Sequence, residues 1–380
     1  MKELLTFIML FAGLSVFAQD NIKYTNDMDY VLGDVKQAFI HDKISNKTQV
    51  DNLIKGFKSL KVNGIRIPIF AEGLEPNKAM LDYFFEQAKA YGFKIFANPA
   101  LTSGGIRIAN VVFKDEDAGG SVWNDPVKTQ VLIDRIKAFA IEYPCDWICP
   151  FNEDGRPGKK WSVAQYNAIF QGLLGQLNGA ELVGSCQWGL EAGILTFDKT
   201  ETDQYISVAT SHNLGFNHNL WSTFINKARA KGLPVWDSEV NHNQKYPDRL
   251  TRLEAALENK VDGLVIYNSW RGINLSNGTL NNTERVLEQQ ALFLDSQTSV
   301  NDLYGVDSVF VYPNPASEFI SVSGYVNVKQ LSLIDLQGKI VRSQSEANQL
   351  IVEGLSRGIY ILKLELFDGH VKYMKVTINS

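Results

Sequence analysis

Two short segments of the chain each end on a glutamate. The first covers residues 148–153 (Ile-Cys-Pro-Phe-Asn-Glu) and the second covers residues 234–239 (Pro-Val-Trp-Asp-Ser-Glu). Carboxylates at the ends of two strands of one parallel barrel can face each other across a cleft. Such a pair can cleave a glycosidic bond, with one carboxyl as acid and base and the other as nucleophile. Taken singly, the alternative for Glu153 or Glu239 is a solvated loop carboxylate.

The elements that would position this pair follow a regular alternation. From residue 30 the chain alternates strand and helix patterns eight times, which favours a (β/α)8 barrel of the α/β class over a doubly wound sheet. Predicted strands cover residues 35–40, 63–69, 93–97, a fourth run leading to Glu153, 181–188, 206–212, a seventh run ending at Glu239, and 263–270. Predicted helices cover residues 48–60, 77–91, 125–143, 162–177, 220–230, 246–259 and 283–294.

Helix boundaries in this scheme rest on capping residues. Asn77 is placed to cap one helix, Pro126 stands at the first position of the next, and Ser162 with Gln165 has the spacing of a capping box. In a (β/α)8 barrel the active site lies where the strands end and the loops begin. Glu153 and Glu239 both fall at such positions, on predicted strands four and seven.

The N-terminus has the pattern of an export signal. Lys2 supplies positive charge, residues 4–17 are mostly apolar, and small side chains precede a cleavage point after Ala18. The apolar run is too short to span a bilayer. The alternative, a membrane anchor, is disfavoured because no stop-transfer pattern follows. We therefore expect a signal peptide at residues 1–18 and a barrel domain at residues 19–295.

The C-terminus is predicted to be a separate module. A polar linker at residues 296–306 is followed by short alternating strands with Gly, Asn and Asp turns, which predicts a small all-β sandwich at residues 307–380. Four motifs in order carry a resemblance to the type A sorting domain of the Bacteroidota type IX secretion system: Tyr312-Pro313-Asn314-Pro315, Leu336-Gln337-Gly338-Lys339, Leu355-Ser356-Arg357-Gly358-Ile359-Tyr360 and Lys375-Val376-Thr377-Ile378.

This resemblance implies handling by the type IX secretion machinery. The chain would pass through the periplasm, cross the outer membrane, lose the sorting domain by proteolysis and end secreted or at the cell surface. The alternative is a carbohydrate-binding sandwich, which is disfavoured because the module has no cluster of tryptophans.

The barrel segment resembles the clan A glycoside hydrolases, the retaining group that includes family 5. Asn152-Glu153 matches the clan's Asn-Glu at the end of strand four, and Glu239 matches the nucleophile of strand seven. The segment 63–68 resembles the family 5 second strand, whose arginine, here Arg66, supports the nucleophile. Trp270 matches the aromatic platform after strand eight. The resemblance implies that Glu153 is the general acid and base.

The sequence departs from the family 5 pattern at three places. Asp154 follows Glu153 where proline is frequent, and Asn98-Pro99 stands where a histidine is usual after strand three. The usual His-x-Tyr of strand six is here Ser211-His212-Asn213-Leu214. The exact family and the substrate therefore stay open.

Each candidate residue has an expected role. Burial and the nearby Glu239 would raise the pKa of Glu153, and Arg66 would hold Glu239 ionised, although it could also only stabilise the barrel. Asn152 could bind the sugar 2-hydroxyl. His212 could contact the sugar, orient a carboxylate or be structural.

Aromatic and basic residues near the predicted strand ends are candidate substrate contacts. Trp270, then Trp188 and Trp161, could be subsite walls because aromatic faces stack on sugars, although most tryptophans in a barrel belong to the core. The cluster Arg156, Lys159 and Lys160 is a solvated loop or a contact for a sulfated or uronic polysaccharide.

Composition excludes several classes. A net charge of −5 and a pI near 5.7 argue against nucleic-acid binding. No segment after the signal could span a membrane, and we expect a monomer. No His or Cys spacing suggests a metal site, so we expect no metal and no cofactor. Three cysteines leave at least one free thiol. Buried thiols are expected, and a bridge from Cys186 to Cys145 or Cys149 stays open.

The sequence as a whole predicts a secreted retaining β-glycosidase, endo-acting on a plant or algal polysaccharide or its oligosaccharides. Two alternatives stay open. One is a non-catalytic surface glycan-binding protein on a barrel scaffold, and the other is a polysaccharide lyase.

Overall fold

The computed structural model describes residue 24 and residues 28–114, 116–215, 217–240, 252–281, 310–323, 328–367 and 371–379. The chain divides into two compact units, Met1–Phe293 and Leu294–Ser380. The predicted signal peptide, the linker at 296–306 and the predicted helix at 283–294 lie outside the described residues. Among the described residues, no helix has the length and apolar character needed to cross a membrane.

The first unit is built on a sheet of eight strands in which every strand pair is parallel. The strands are β1 (Tyr30–Asp34), β2 (Gly64–Ile69), β3 (Lys94–Pro99), β4 (Trp147–Ile148), β5 (Glu181–Leu182), β6 (Ala209–Ser211), β7 (Val235–Val240) and β8 (Gly263–Ile266). Their order is β5-β4-β3-β2-β1-β8-β7-β6. Parallel bridges from Val183 to Val208 and from Gln187 to Ser211 join the two ends of this order. The predicted (β/α)8 fold is confirmed.

Helices alternate with these strands. They are α1 (Lys36–Ile40), α2 (Lys47–Ser59), α3 (Lys78–Ala90), α4 (Gly104–Ala109), α5 (Pro126–Glu142), α6 (Val163–Leu173), α7 (Leu190–Lys199), α8 (Trp221–Arg229) and α9 (Arg252–Glu258). The predicted caps are present: Asn77 accepts from the Met80 amide, and Ser162 and Gln165 form a capping box. The sequence analysis assigned no helix to the segments that form α4 and α7.

The prediction of a first strand at residues 35–40 is wrong. β1 ends at Asp34, and residues 36–40 form α1. The reason lies in the apolar spacing, because Val35, Ala38 and Phe39 repeat at intervals of three and four, which is the period of a helix. This turn from strand to helix places Lys36 at the mouth of the barrel.

Strands four and five are shorter than predicted. β4 and β5 have two residues each, so the regular strands end before Glu153 and Trp188, although isolated bridges at Val183 and Gln187 continue the pairing after β5. Glu153 and Cys186 have φ angles of 57° and 42°, in the left-handed region that non-glycine residues rarely adopt. Glu153 therefore projects from an irregular loop segment and not from a regular strand end.

Aromatic rings fill the interior of the barrel. Trp147 on β4 and Trp236 on β7 are not neighbours in the sheet, yet their ring centroids lie 4.9 Å apart. Tyr30 and Phe96 contact Trp236 at centroid distances of 5.5 and 6.2 Å. Contacts between non-adjacent strands cross the interior, so these rings form a packed layer beneath the strand ends that carry the charged residues.

The second unit is all-β, and the prediction of a small β-sandwich is confirmed. Its antiparallel sheets have the orders β13-β10-β9 and β12-β11-β14-β15. The strands are β9 (Phe310–Tyr312), β10 (Phe319–Ser323), β11 (Val328–Ile334), β12 (Ile340–Ser345), β13 (Gln349–Ile351), β14 (Gly358–Leu366) and β15 (Val371–Ile378). Both sheets contribute to one buried core, to which Ile320, Leu333, Leu364 and Val376 belong.

The substitution Gly33→Ala tests the packing of β1 on α2. A Cβ at Gly33 would lie 2.5 Å from Phe57 Cε1, and the ring is fully buried. Because such overpacking costs about 1–3 kcal/mol, we expect a lower urea midpoint. All seven tryptophans lie between residues 123 and 270, so tryptophan fluorescence reports the barrel. The control is Gly189→Ala, whose Cβ would meet its nearest atom at 3.6 Å. Equal midpoints for the two variants would contradict this packing.

Candidate active site

The two glutamates of the sequence analysis meet at the carboxyl ends of the barrel strands. One atom each of the Glu153 carboxylate, the Glu239 carboxylate and the His212 ring lie within 4.8 Å of one another. Both glutamates line a cavity of about 520 Å³, together with residues from several strand ends: Lys36, Gln37, Ala100, Leu101, Thr102, Asn152, Trp188, Leu214, Arg252 and Tyr267. The pair is therefore accessible to a ligand of sugar size.

Arg66 on β2 holds Glu239 in place. Its Nη1 donates to Glu239 Oε2 at 2.9 Å and to the Ser238 carbonyl at 3.0 Å, and its Nε donates to Asp34 Oδ1 at 2.9 Å. Arg66 and Asp34 are completely buried. This ion pair and the bond to the Ser238 carbonyl fix the Glu239 carboxylate against β2.

Asp34 completes this arrangement from β1. Its Oδ2 accepts from the Asn268 amide at 2.9 Å. Burial alone would raise the pKa of Asp34, but the charge of Arg66 and its hydrogen bond outweigh burial, so the pKa is lowered. Asp34 and Glu239 in turn raise the pKa of Arg66, although its burial opposes the shift. Arg66 thus stays charged between two anions.

Glu153 is bound to different partners. Its Oε1 lies 3.2 Å from His212 Nδ1, and its Oε2 accepts a hydrogen bond from the Thr102 hydroxyl. Burial alone would raise the pKa of Glu153. The hydrogen bond and charge of His212, the Thr102 bond and the charge of Lys36 outweigh burial and lower the pKa to about 2. The expectation of a raised pKa for Glu153 is wrong, because it counted burial and Glu239 but none of these partners.

His212 holds the proton that Glu153 lacks. Burial lowers its pKa, but the charge of Glu239 and the bonds to Cys186 and Glu153 raise it to about 9. The Glu153–His212 pair therefore carries one proton near neutral pH, and the proton lies on the imidazole. A 3.2 Å contact is short enough for the proton to move to the carboxylate when a better acceptor approaches.

Asn152 is held by protein groups on both ends of its amide. Its Oδ1 accepts from Lys36 Nζ at 3.0 Å and from Asn98 Nδ2 at 2.8 Å, while its Nδ2 donates to the Leu101 carbonyl at 3.0 Å. Its second amide N–H has no acceptor among the described residues. The sequence analysis missed Lys36, although a lone lysine between Val35 and an apolar run is a detectable signal.

Asp154 links two of the loops at the barrel mouth. It is buried and accepts from the backbone amides of Gly105, Ile106 and Asn152 at 2.8–2.9 Å. Burial raises its pKa to about 6, although these bonds oppose the shift. The aspartate thereby ties the segment that carries Glu153 to the segment that follows β3.

The three tryptophans that were predicted to line sugar subsites lie in different surroundings. Trp188 is 51% exposed and lines the cavity. Trp270 is partly buried after β8, and its indole N–H donates to Asn268 Oδ1 at 2.9 Å. Trp161 is completely buried, and its indole N–H donates to Asp154 at 3.3 Å. The prediction that Trp161 walls a subsite is wrong, since its ring belongs to the core.

The structure also places the three cysteines and the basic cluster of the sequence. Cys145, Cys149 and Cys186 are free and buried, so the bridge that was left open is absent. Glu153, His212 and Glu239 could in principle ligate a cation, but the Arg66 guanidinium beside Glu239 disfavours one. Arg156 of the basic cluster pairs with Glu191 at 2.6 Å.

Comparisons with known proteins agree with both units. Residues 310–379 match the family described as secretion system C-terminal sorting domain, which confirms the resemblance of this segment to the type IX sorting domain. No curated protein sequence matches the chain.

Two solved structures illustrate the likeness of the chain in fold. One is a tri-modular GH5 (subfamily 4) endo-β-1,4-glucanase from Bacillus licheniformis, at 11% identity and a TM-score of 0.50, with 95% of this chain and 78% of that chain covered. The other is a GH30 endoxylanase from Clostridium papyrosolvens, also at 11% identity and a TM-score of 0.50, with 94% and 95% covered. At this identity the likeness shows the fold.

The substitution Arg66→Met tests the buried ion pairs. It leaves Asp34 and Glu239 without their cation, which costs about 3–5 kcal/mol of unfolding free energy at neutral pH. Since the folded-state pKa of Asp34 is lowered, its contribution is present above the unfolded value of about 4 and is lost as the pH falls further. We therefore expect the difference between wild type and variant in urea unfolding to narrow below about pH 4.

The control for this experiment is Arg229→Met. Arg229 pairs with Asp262 at the surface, at 2.9 Å and with 48% of its side chain exposed, so its loss should cost less than about 1 kcal/mol. A cost for Arg66→Met as small as that of the control, or one independent of pH, would count against the buried pairs.

Proposed function

We propose that the protein is a secreted retaining glycoside hydrolase, endo-acting on a β-linked plant or algal polysaccharide. The observation that carries this proposal is the spacing of the two carboxylates, whose nearest ligand atoms lie within 4.8 Å. Retaining enzymes place their carboxyl groups about 5–5.5 Å apart, whereas inverting enzymes need about 6.5–9.5 Å to admit a water molecule between carboxylate and sugar. The spacing favours double displacement.

The surroundings of each glutamate assign its role in this proposal. Glu239 is the nucleophile, because its ion pair with the buried Arg66 holds its carboxylate in a fixed position at the cavity. Glu153 is the acid and base, because it contacts His212, which carries an exchangeable proton. Trp188, half-exposed at the cavity, is placed to stack on the apolar face of a sugar.

The first step forms a covalent intermediate. The proton of the Glu153–His212 pair passes through Glu153 to the glycosidic oxygen while Glu239 attacks the anomeric carbon. The bond between that carbon and the leaving oxygen breaks, and an ester to Glu239 forms. Neutralising Glu239 removes the charge that contributes most to keeping His212 protonated, so the pair remains deprotonated and ready to act as a base.

The second step returns the site to its starting state. Glu153 takes a proton from water, the hydroxide attacks the anomeric carbon, and Glu239 leaves as a carboxylate. The proton returns to the pair, and the two displacements give net retention of configuration. No further reactant is needed.

The sorting domain supports export of the enzyme to the cell surface or beyond. In this proposal the chain crosses the periplasm and the outer membrane, and the sorting domain is then removed. The substrate would be met outside the cell, where polysaccharides too large for uptake are cut into oligosaccharides.

Azide rescue of two alanine variants tests the assigned roles. In Glu239→Ala, azide enters from the nucleophile's side, and an aryl β-glycoside should yield the α-glycosyl azide. In Glu153→Ala, the ester to Glu239 still forms from an activated substrate, and azide should yield the β-glycosyl azide. Without azide, Glu153→Ala should lose about 10²–10⁴-fold in kcat/KM on unactivated substrates.

Nuclear magnetic resonance of the azide products identifies the anomer. The opposite pairing of variants and anomers would reverse the two roles. Glycan binding without turnover in the wild type would favour the binding-protein alternative, and unsaturated products absorbing in the ultraviolet would favour a lyase.

The pH profile of kcat/KM tests the proton on His212. Since kcat/KM reports the free enzyme, the alkaline limb of the wild type should follow the loss of this proton near pH 9. In His212→Asn the proton must reside on Glu153 itself, and the limb should move to lower pH. The control His41→Asn changes an exposed histidine that is not among the residues lining the cavity, and it should leave the profile unchanged. An unmoved limb in His212→Asn would contradict the shared proton.

A further inference from the structure

Lys36 is an ammonium group buried in the cavity wall. It follows β1, is 2% exposed and lines the cavity that holds Glu153 and Glu239. Its Nζ donates to Asn98 Oδ1 and Asn152 Oδ1, both at 3.0 Å. Both acceptors are neutral amide oxygens, and an ammonium has three donors. Within the described residues, Lys36 forms no ion pair with a carboxylate at 4.0 Å or less.

Burial of the ammonium group disfavours its charged form. Desolvation and then the charge of Arg66 lower the pKa of Lys36 to about 8, although Glu239, Asp34 and Glu153 oppose the shift. The charge of Lys36 is balanced in part by these carboxylates, and its hydrogen bonds to Asn98 and Asn152 fix the Asn152 amide. These two bonds leave the third N–H of the ammonium without an acceptor among the described residues.

The other charged residues that line the cavity also favour an anionic ligand. Besides the two glutamates, its charged lining residues among those described are Lys36 and Arg252, and both are cations. Arg252 is buried at the first position of α9. By contrast, the surface cluster that the sequence suggested for acidic glycans is partly engaged elsewhere, with Arg156 paired to Glu191 and Lys160 donating to Ser103.

We propose that Lys36 Nζ binds an anionic substituent of the substrate, a uronate carboxylate or a sulfate ester, on a sugar held in the cavity. This inference rests on the proposed glycosidase function and narrows its substrate class. The ammonium uses its third N–H for the anion while Asn98 and Asn152 fix its position. A charge-assisted bond of this kind is formed without further ordering of the side chain.

Matched pairs of glycans test the inference on the full chain. The pairs are β-1,4-mannan and β-1,4-mannuronan oligosaccharides, β-1,4-glucan and β-1,4-glucuronan oligosaccharides, and a sulfated β-galactan oligosaccharide with its desulfated form. In at least one pair, the anionic member should be cleaved with a kcat/KM about 10- to 100-fold above that of its neutral partner. Preference within the uronate pairs or the sulfate pair identifies the anion.

The substitution Lys36→Gln separates the charge from the structural bonds. Glutamine retains N–H donors for the two amide oxygens, so a merely structural role would be restored, whereas the preference for the anionic member should be lost. Lys159→Met, which removes an exposed lysine of the surface cluster, should leave the preference unchanged. Thermal melting of the variants checks their folding, and the wild-type comparison needs no variant.

The outcomes distinguish this inference from the function on which it rests. The inference is overturned if neutral members are cleaved without preference for any anionic partner, or if Lys36→Gln leaves the preference unchanged. In both cases the proposed glycosidase function is unaffected. Selective calorimetric binding of an anionic oligosaccharide that Lys36→Gln abolishes, without cleavage of any glycan, supports the anion site and overturns the glycosidase. If the protein neither binds nor cleaves any anionic member, the inference is overturned.

Discussion

A guanidinium buried at the mouth of the barrel connects the ends of four strands. Arg66 comes from β2, and its hydrogen bonds reach Asp34 on β1 and both Ser238 and Glu239 on β7. Asp34 extends the connection to the segment after β8 through the Asn268 amide. Burial of three charges is costly unless each is paired and hydrogen-bonded, so these strand ends can adopt few other arrangements. The position of Glu239 follows from this constraint.

A second polar cluster positions Glu153 from the other side of the barrel. Lys36 after β1 and Asn152 after β4 are joined to Asn98 near the end of β3, and Asp154 adds the amides at the start of α4. Glu153 itself sits in the left-handed region of the backbone, a conformation that needs such support. The two clusters meet at His212, which lies 3.2 Å from Glu153 and 4.0 Å from Glu239. A negative charge on either glutamate therefore raises the pKa of the same imidazole.

Local patterns predicted a large part of this architecture. Eight alternating units, the Asn77 cap and the capping box at Ser162 depend on residues close in sequence, and the structure contains them. The same alternation placed Glu239 near the end of strand seven, where the structure has it, whereas Glu153 lies in an irregular segment after β4. The first strand was missed because Tyr30–Asp34 is a short apolar run without alternation, whereas the helical spacing after it was read as a strand.

Other features depend on contacts that no local pattern contains. Lys36 meets Asn152 across 116 positions of sequence, and the lowered pKa of Glu153 depends on side chains from three other segments. The burial of Trp161 likewise depends on Asp154 and the packing around it, because an aromatic residue next to a loop has the same sequence pattern in a core and in a sugar platform. Tertiary packing decided each of these cases.

The central claim is that Glu239, held by Arg66, forms a covalent bond to the sugar. An activated 2-deoxy-2-fluoro-β-glycoside of a sugar that the enzyme cleaves should form an ester that turns over slowly. Mass spectrometry of the intact protein should show one added glycosyl group, and fragmentation of its peptides should place it on Glu239. A glycosyl group on Glu153, or inactivation without any adduct in an enzyme that hydrolyses the parent glycoside, would contradict the account.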